Sequence, residues 1–273
     1  MNSRRSASRV GVTSAIVLAM AVIFTPFHSP IQSRSVAAKE EENLLFRASF
    51  DRNFLADQAV GDDSPLGIRN LKIVREGKRD SAVYLDTGSL LTYDAPGNLY
   101  AEHGTIGFWW KLDEPMGDTP FSIVHVSYAD QSNWDFSFAE LRWTGKDLRL
   151  SVCDRDAVTH EIIADAKSEL VSGRWFYLAL TWDELDGIHL YVDGHEVGRK
   201  LGELHLAASL DQVGIHANQV APHQTSGSER KVLIDELRFY SIALTQTAIQ
   251  DLTQLGGGRA GAKIGRASCR ERV

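Results

Sequence analysis

Two cysteines stand in 273 residues, Cys153 and Cys269, and the second belongs to a C-terminal stretch set aside below. No intrachain disulfide can then staple the domain, so its stability rests on a hydrophobic core. A nucleophile elbow, a His-Glu-x-x-His helix and a glycine-rich phosphate loop are all missing. The nine histidines do not cluster at metal-ligand spacing. His189 and His195 flank a hairpin and would not sit directly opposite, while His216 and His223 bracket an Ala/Asn/Gln loop, so solvated turn histidines are expected. No repeat of fixed period occurs, and the one low-complexity run is Gly256-Gly257-Gly258. Positive charge is in deficit, with a formal net charge of −7. Setting aside Arg266, Arg270, Arg272 and Glu271 at one end and Arg4, Arg5, Arg9 and Arg34 at the other leaves −13. That acidity disfavours nucleic acid and anionic lipid as partners, and suits solubility outside the cell and cation binding.

The two ends read differently from the middle. Residues 1–38 carry Arg4, Arg5 and Arg9, an apolar run from Val10 to Phe27 and a small-residue exit at Val36-Ala37-Ala38, the pattern of a secretory signal. The span from Phe27 to Ala38 is long for cleavage there, which leaves an uncleaved membrane anchor as the alternative and the only membrane contact expected. Ser3-Arg4-Arg5 is compatible with twin-arginine export. Residues 256–263 read as a Gly-rich linker. Residues 264–273, Ile264 to Val273, resemble a translated sequencing-adapter read-through rather than protein. On that reading the natural C-terminus, with any further domain, lies beyond this sequence.

Residues 44–255 are nearly all β in pattern. Trp175, Tyr177, Ala179 and Thr181 alternate with Phe176, Leu178, Leu180 and Trp182, a period of two with both faces largely apolar. Asp183 to Gly187 breaks the alternation, Ile188, Leu190 and Val192 resume it, and Asp193-Gly194 is the residue pair that a two-residue hairpin turn prefers. Strands are expected at 44–50, 82–85, 89–93, 105–112, 121–128, 135–143, 147–153, 161–164, 212–216 and 232–240. A polar loop rich in Asp57, Asp62, Asp63, Pro65 and Gly67 is expected after the first. The one helix expected runs from Thr245, as N-cap, to about Leu255. Short strands at regular spacing argue for an all-β, two-sheet antiparallel sandwich, and about 215 residues suffice for a large single core.

Three segments then carry a resemblance. Gly173-Arg174-Trp175 through Asp183 with Leu190-Tyr191-Val192-Asp193-Gly194 is similar to a "G-x-W-x-x-x-A-x-T-x-D … L-Y-V-D-G" core. Ile234-Asp235-Glu236-Leu237-Arg238-Phe239-Tyr240 with Ala243-Leu244-Thr245 resembles a closing "I-D-E-L-R-x-Y…A-L-T" strand and helix, and Thr105 to Trp109 resembles a "T-x-S-F-W" strand. The chain resembles the laminin-G-like jelly rolls of the concanavalin A-like lectin and glucanase superfamily, over Leu44 to Leu255. The resemblance implies a jelly roll, but the fold hosts lectins, hydrolases and scaffolds alike. Retaining glucanases of the superfamily carry a Glu-x-Asp-x-x-Glu strand; the nearest approach, Glu184 to His189, ends in His and lies in a turn, so no catalytic residue is expected. The resemblance also implies one structural calcium where the first strand meets the last, with Asp51 and Asp235 as its acidic ligands and backbone carbonyls near Asn53 and Phe239 completing the shell. Alternatively Asp51 caps a turn and Asp235 pairs with Arg238 or Arg52.

For sugar binding, an exposed aromatic plate beside carboxylates and amides is the requirement. Trp134 beside Asn133 and Asp135, and Tyr128 beside Asp130 and Gln131, meet it best. Trp109, Trp175 and Phe239 are expected in the core, Trp143 and Trp182 on either face, and Cys153 as a half-buried small residue. The expectation is an exported, secreted or cell-surface recognition module without catalysis, glycan-binding or adhesive, whose partner is a glycan or an extracellular protein. The alternatives are an accessory domain of a larger secreted hydrolase and a structural domain making protein contacts.

Overall fold

A computed structural model describes residues 42–115, 117–128, 137–166, 170–206, 209–216, 219–221, 224–225 and 231–255. The strands, in chain order, are β1 (Leu44–Ala48), β2 (Gln58–Ala59), β3 (Pro65–Val74), β4 (Ala82–Asp94), β5 (His103–Leu112), β6 (Phe121–Tyr128), β7 (Ser137–Trp143), β8 (Leu148–Cys153), β9 (Thr159–Ala164), β10 (Trp175–Asp183), β11 (Gly187–Val192), β12 (His195–Lys200), β13 (Leu210–His216), β14 (Gln219–Ala221), β15 (Gln224–Thr225) and β16 (Val232–Tyr240). One helix, α1 (Gln246–Leu255), follows. The expected all-β jelly roll is what the chain forms.

Hydrogen-bonded neighbours run β12-β11-β10-β5-β16-β4-β13-β6-β7-β8-β9. The order folds into two layers at β4, whose first part pairs with β16 and whose last part pairs with β13. Both faces of β10 are used. Phe176, Leu178, Leu180 and Trp182 enter the core between the layers, where the Trp182 ring meets Phe138 of β7 edge-on at 5.5 Å. Trp110 of β5 likewise stacks toward Phe121 of β6. Tyr177 and Ala179 point the other way, into a second cluster with Trp109, Tyr191, Tyr240 and the α1 residues Ile249 and Leu252. That outer coat is why the strand reads apolar on both sides. Thr245 caps α1 as expected, its hydroxyl accepting the Ala248 N–H at 3.3 Å. Trp109 and Phe239 are buried, and so are Trp143 and Trp182. Trp175, expected in the core, is only partly buried and packs at the edge of the outer cluster.

Pro65 and Gly67, expected in a polar loop, lie in the strand β3. Among the described residues it pairs with β4 alone, and its alternating apolar residues Leu66, Ile68, Leu71 and Ile73 stay exposed or half-buried. Asp86-Thr87-Gly88, expected to break a strand pair, lies inside one long β4. Gly88 takes a positive φ of 71° opposite a register shift between Arg69 and Leu71. The turn chemistry there makes a bulge rather than a reversal.

Candidate functional site

Strands β7 to β9 alternate, and β6 joins their register through a bulge between Ser122 and Val124. Val124, Leu141, Leu150 and Ile162 are direct cross-strand partners and point into the core. The residues between them must therefore lie on the layer's outer face. Register aligns these into a row across six strands: Thr92 (β4), Gly214 (β13), His125 (β6), Glu140 (β7), Ser151 (β8) and Glu161 (β9). A second row beside it holds Ser122, Arg142 and Arg149. The short β14 lies alongside β6.

These polar groups are only half in water. Burial pushes the Glu140 carboxyl up, with Arg142, Ser122 and Arg149 opposing the rise. Burial pushes the His125 ring below its ordinary value, so the ring is neutral at neutral pH. Arg142 Nη1 lies 3.9 Å from Glu140 Oε2, and Arg149 Nη1 lies 3.5 Å from Glu161 Oε1, which also accepts the Ser151 hydroxyl at 3.3 Å. Arg142 stands directly opposite Arg149. The Nε atoms of both are buried and find no hydrogen-bond acceptor among the described residues. Two unmet donors on facing like charges cost free energy, on the order of 1–3 kcal/mol for each donor. Sequence reasoning missed this face because its members are scattered from residue 92 to 214. The available signal was the run of polar residues at every second position of β7 and β8.

Of the sugar-site candidates read from sequence, Asp130, Asn133, Trp134 and Asp135 lie outside the described residues. Tyr128 closes β6. It is half-buried, donates its hydroxyl to the Cys153 carbonyl and sets its ring edge-on to Phe138 at 5.8 Å; burial raises its phenol well above the ordinary value. Beside it the Asp154 carboxylate accepts the Asp156 and Val158 N–H groups at 3.0 and 2.9 Å and contacts His160 Nε2 at 3.0 Å. Burial alone would raise Asp154, but His160 and those backbone donors outweigh it and the carboxyl is held low. Cys153 is buried and its thiol is raised by that burial. The turn at Glu184 is a turn indeed: Asp183 Oδ1 accepts the Leu185 and Asp186 N–H groups. His189 faces Arg199 across β12 and His195 faces Val192.

Asp51 and Asp235, far apart in sequence, converge on one short segment. Asp51 Oδ1 accepts the Ser81 N–H at 3.3 Å, and Asp235 Oδ2 accepts the Arg79 N–H at 2.7 Å. Asp235 Oδ1 is buried, with no hydrogen-bond partner among the described residues. Burial first, then the charges of Glu236 and Asp51, raise the Asp235 carboxyl to about 7. A buried carboxylate oxygen left over beside a second acid is the donor chemistry that suits a hard cation. Among the described residues no group of three or more His, Cys, Asp or Glu side chains could hold a metal, so a calcium here would draw its other oxygens from backbone. Arg238 pairs not with Asp235 but with Glu236, which Arg47 and Arg79 also reach, at 3.1 and 3.4 Å.

Residues 85–250 match the family model Laminin_G_3, described as Concanavalin A-like lectin/glucanases superfamily. No curated protein matches the chain in sequence. Similar solved structures include the botulinum neurotoxin serotype D ligand binding domain in complex with N-acetylneuraminic acid (TM-score 0.64, 13% identity, 80% of this chain and 52% of that one). A botulinum neurotoxin type C structure, whose cell entry depends on interaction with two ganglioside molecules, gives 0.63 at 10% identity, with 81% and 53% covered. The binding domain of Paraclostridial Mosquitocidal Protein 1 gives 0.59 at 15% identity, with 78% and 52% covered. The chain spans about half the length of each of these structures, and identities this low speak to the fold alone.

Proposed function

The chain belongs to the concanavalin A-like lectin/glucanase superfamily as a laminin-G-type jelly roll, and on that premise we propose that it is an exported recognition module that binds glycan on the outer face of β6 to β9 and performs no catalysis. One observation carries this reading: a row of half-buried donors and acceptors, His125, Glu140 and Ser151, flanked by the part-exposed guanidiniums of Arg142 and Arg149. Sugar hydroxyls need such a mixture of fixed donors and acceptors. The two carboxylates of the row support binding over hydrolysis. Glu140 and Glu161 sit two strands apart, about 9.5 Å by strand spacing, too wide for a retaining pair and at the outer limit of an inverting one, and each is engaged by its own arginine. Trp134, in the connection between β6 and β7, is the aromatic plate in this reading. Export is supported by the basic, apolar, small-residue order of residues 1–38.

The reading includes a structural calcium held by Asp51 and Asp235. Its support is the Asp235 Oδ1 that finds no hydrogen-bond partner among the described residues, and the mutual repulsion of the two acids. Bound there, the ion would neutralise both carboxylates and tie the segment after β1 to β16, next to the Arg79–Ser81 stretch whose N–H groups the two acids already hold. A glycan array probed with the full chain, with calcium and with chelator, is the test. Binding that Trp134→Ala weakens while the melting temperature holds is the expected result. No array signal together with a melting temperature unchanged in chelator would leave a structural domain, or an accessory domain of a larger secreted hydrolase, as the better reading.

A further inference from the structure

A strand edge that nothing covers presents a row of unpaired N–H and C=O groups. The two ends of the strand order, β12 and β9, lie against one another; a Cβ added at Gly198 of β12 would stand 2.3 Å from the Ile162 side chain of β9. That leaves the ten-residue β3 as the longest uncovered edge among the described residues. Register gives this edge two unlike sides. Ile68, Leu71 and Ile73 are direct partners of the core residues Leu91, Leu85 and Val83, so they project on the core side of the strand. Ile68 is nevertheless 50% exposed, since the described residues place no strand beyond it. Arg69 and Lys72 pair with Leu90 and Tyr84, the sequence neighbours of those core residues, and project on the other side. There Lys72 Nζ lies 4.4 Å from the centre of the Tyr84 ring, and Arg69 Nε donates to the Gly88 carbonyl at 2.8 Å. No acid stands on β3, and the exposed Arg75 follows it, with Glu76 beside it. In a chain of net charge −7 this edge is a local reversal of sign.

We propose that β3 is a docking edge for an extended acidic segment of a partner protein, which joins the sheet as a further strand. Strand addition takes its affinity from main-chain hydrogen bonds and its selectivity from alternate side chains. The two sides of β3 specify that alternation. Apolar residues of the incoming strand cover Ile68, Leu71 and Ile73, and its acids meet Arg69, Lys72 and, at the end, Arg75. Charge also decides against a second copy of this chain as the occupant. Two β3 edges laid together would bring Arg69 and Lys72 against their own duplicates, and like charges across a strand pair are unfavourable. Basic residues on an edge thus discourage self-pairing while attracting an acidic strand. The edge is separated from β6 by β4 and β13, so the proposal stands apart from the glycan reading.

The test is titration calorimetry of the full chain with a capped peptide of alternating Glu and Val. Three control peptides accompany it: one with Lys in place of Glu, one with the same residues in two blocks, and one methylated on successive central backbone nitrogens, which blocks both of its edges. The alternating acidic peptide should bind at least about tenfold more tightly than each control. Lys72→Glu combined with Arg75→Glu should weaken it by about tenfold or more, and Lys146→Glu, in the exposed turn after β7, should leave it within about twofold. Melting temperatures of the variants separate lost binding from lost folding. If the double Glu variant does not fold, Lys72→Gln with Arg75→Gln is read instead and should weaken binding at least about threefold. Equal binding of the methylated or block peptide would mean charge attraction without an added strand, and overturns the proposal. Undiminished binding to the folded β3 variants, or no binding of the acidic peptide at millimolar concentration, overturns it too. A dimer of the chain that Ile68→Glu dissociates, with no peptide bound, would give the edge to a second copy instead.

Discussion

Arg47 on β1 grips Glu236 on β16 with two parallel hydrogen bonds, Nε to Oε2 and Nη2 to Oε1, each 3.1 Å. Arg79 reaches the same carboxylate at 3.4 Å, and the buried Arg238 also donates to it. Glu236 sits in the β16 bulge at a positive φ of 52°, a conformation that its three cations and the close-packed sheet hold in place. Glu236→Gln keeps the shape and removes the anion, leaving Arg238 buried and uncompensated. Arg47 and Arg79 are each a third exposed and recover part of their hydration, so the cost should fall below that of a fully buried pair, at roughly 2–4 kcal/mol. Urea unfolding should show the midpoint lowered with the slope unchanged.

The neighbouring Asp235 works in the opposite sense with pH. Its folded-state pKa is raised to about 7, so between its unfolded value near 4 and about 7 the native state holds a proton that the unfolded state has lost. Stability without calcium should therefore fall as pH rises through that window, by on the order of 4 kcal/mol. Glu236, whose carboxyl the arginines hold low against its burial, contributes stability above its unfolded value that is lost on acidification below it. Melting in chelator should peak in mildly acidic buffer, at about pH 5. Asp235→Asn should flatten the neutral side of the curve, and added calcium should raise the melting temperature of the parent most at and above pH 7. A curve that climbs from pH 5 to 8 in chelator would contradict the burial of an uncompensated acid here.

How far the residues announced this structure depends on whether the signal was local. Asp193-Gly194 and Thr245 act through neighbours a few positions away, and both did what their chemistry dictates. Asp51 and Asp235 were paired from a family pattern and do meet at one segment. The β3 strand was hidden because Pro65, Gly67 and Asn70 interrupt its alternation of Leu66, Ile68, Leu71 and Ile73. The Arg142–Arg149 pair was hidden for another reason. Each arginine alone reads as an ordinary surface residue, and only the register of β7 against β8 sets one opposite the other. That register is set by the Thr144–Asp147 turn between them, where the Thr144 N–H donates to the Asp147 carbonyl at 2.9 Å and Gly145 takes a φ of 97°.

Close packing on the outer side of β10 sets a limit on β5. A Cβ added at Gly107 would lie 2.4 Å from the Tyr177 hydroxyl, and Tyr177 is fully buried between Trp109 and the α1 cluster. Gly107→Ala must push that ring, so we expect a loss of roughly 1–3 kcal/mol. Pairing it with Tyr177→Phe, which removes the colliding oxygen, should recover part of the loss in a double-mutant cycle.

The β11–β12 hairpin offers a sharper separation of causes. Asp193 occupies the first turn position at a φ of 50°, and Gly194 the second at 79°, the left-handed pair of a type I′ turn. The Asp193 side chain also binds outward: Oδ1 accepts the Tyr177 N–H at 2.9 Å, and Oδ2 meets Arg174 at 3.0 Å. Asp193→Asn keeps the turn preference and the Tyr177 acceptor, losing only a half-exposed ion pair, and should cost about 0.5 kcal/mol or less. Asp193→Gly keeps the turn and loses the acceptor, for about 1 kcal/mol. Asp193→Ala loses both, with a residue that resists positive φ, and should cost roughly 2 kcal/mol. Chemical denaturation of the three variants should rank them Asn, Gly, Ala in increasing loss. Were Ala and Gly equal, the backbone angle would carry none of the effect, and the Tyr177 hydrogen bond would be the whole contribution of Asp193.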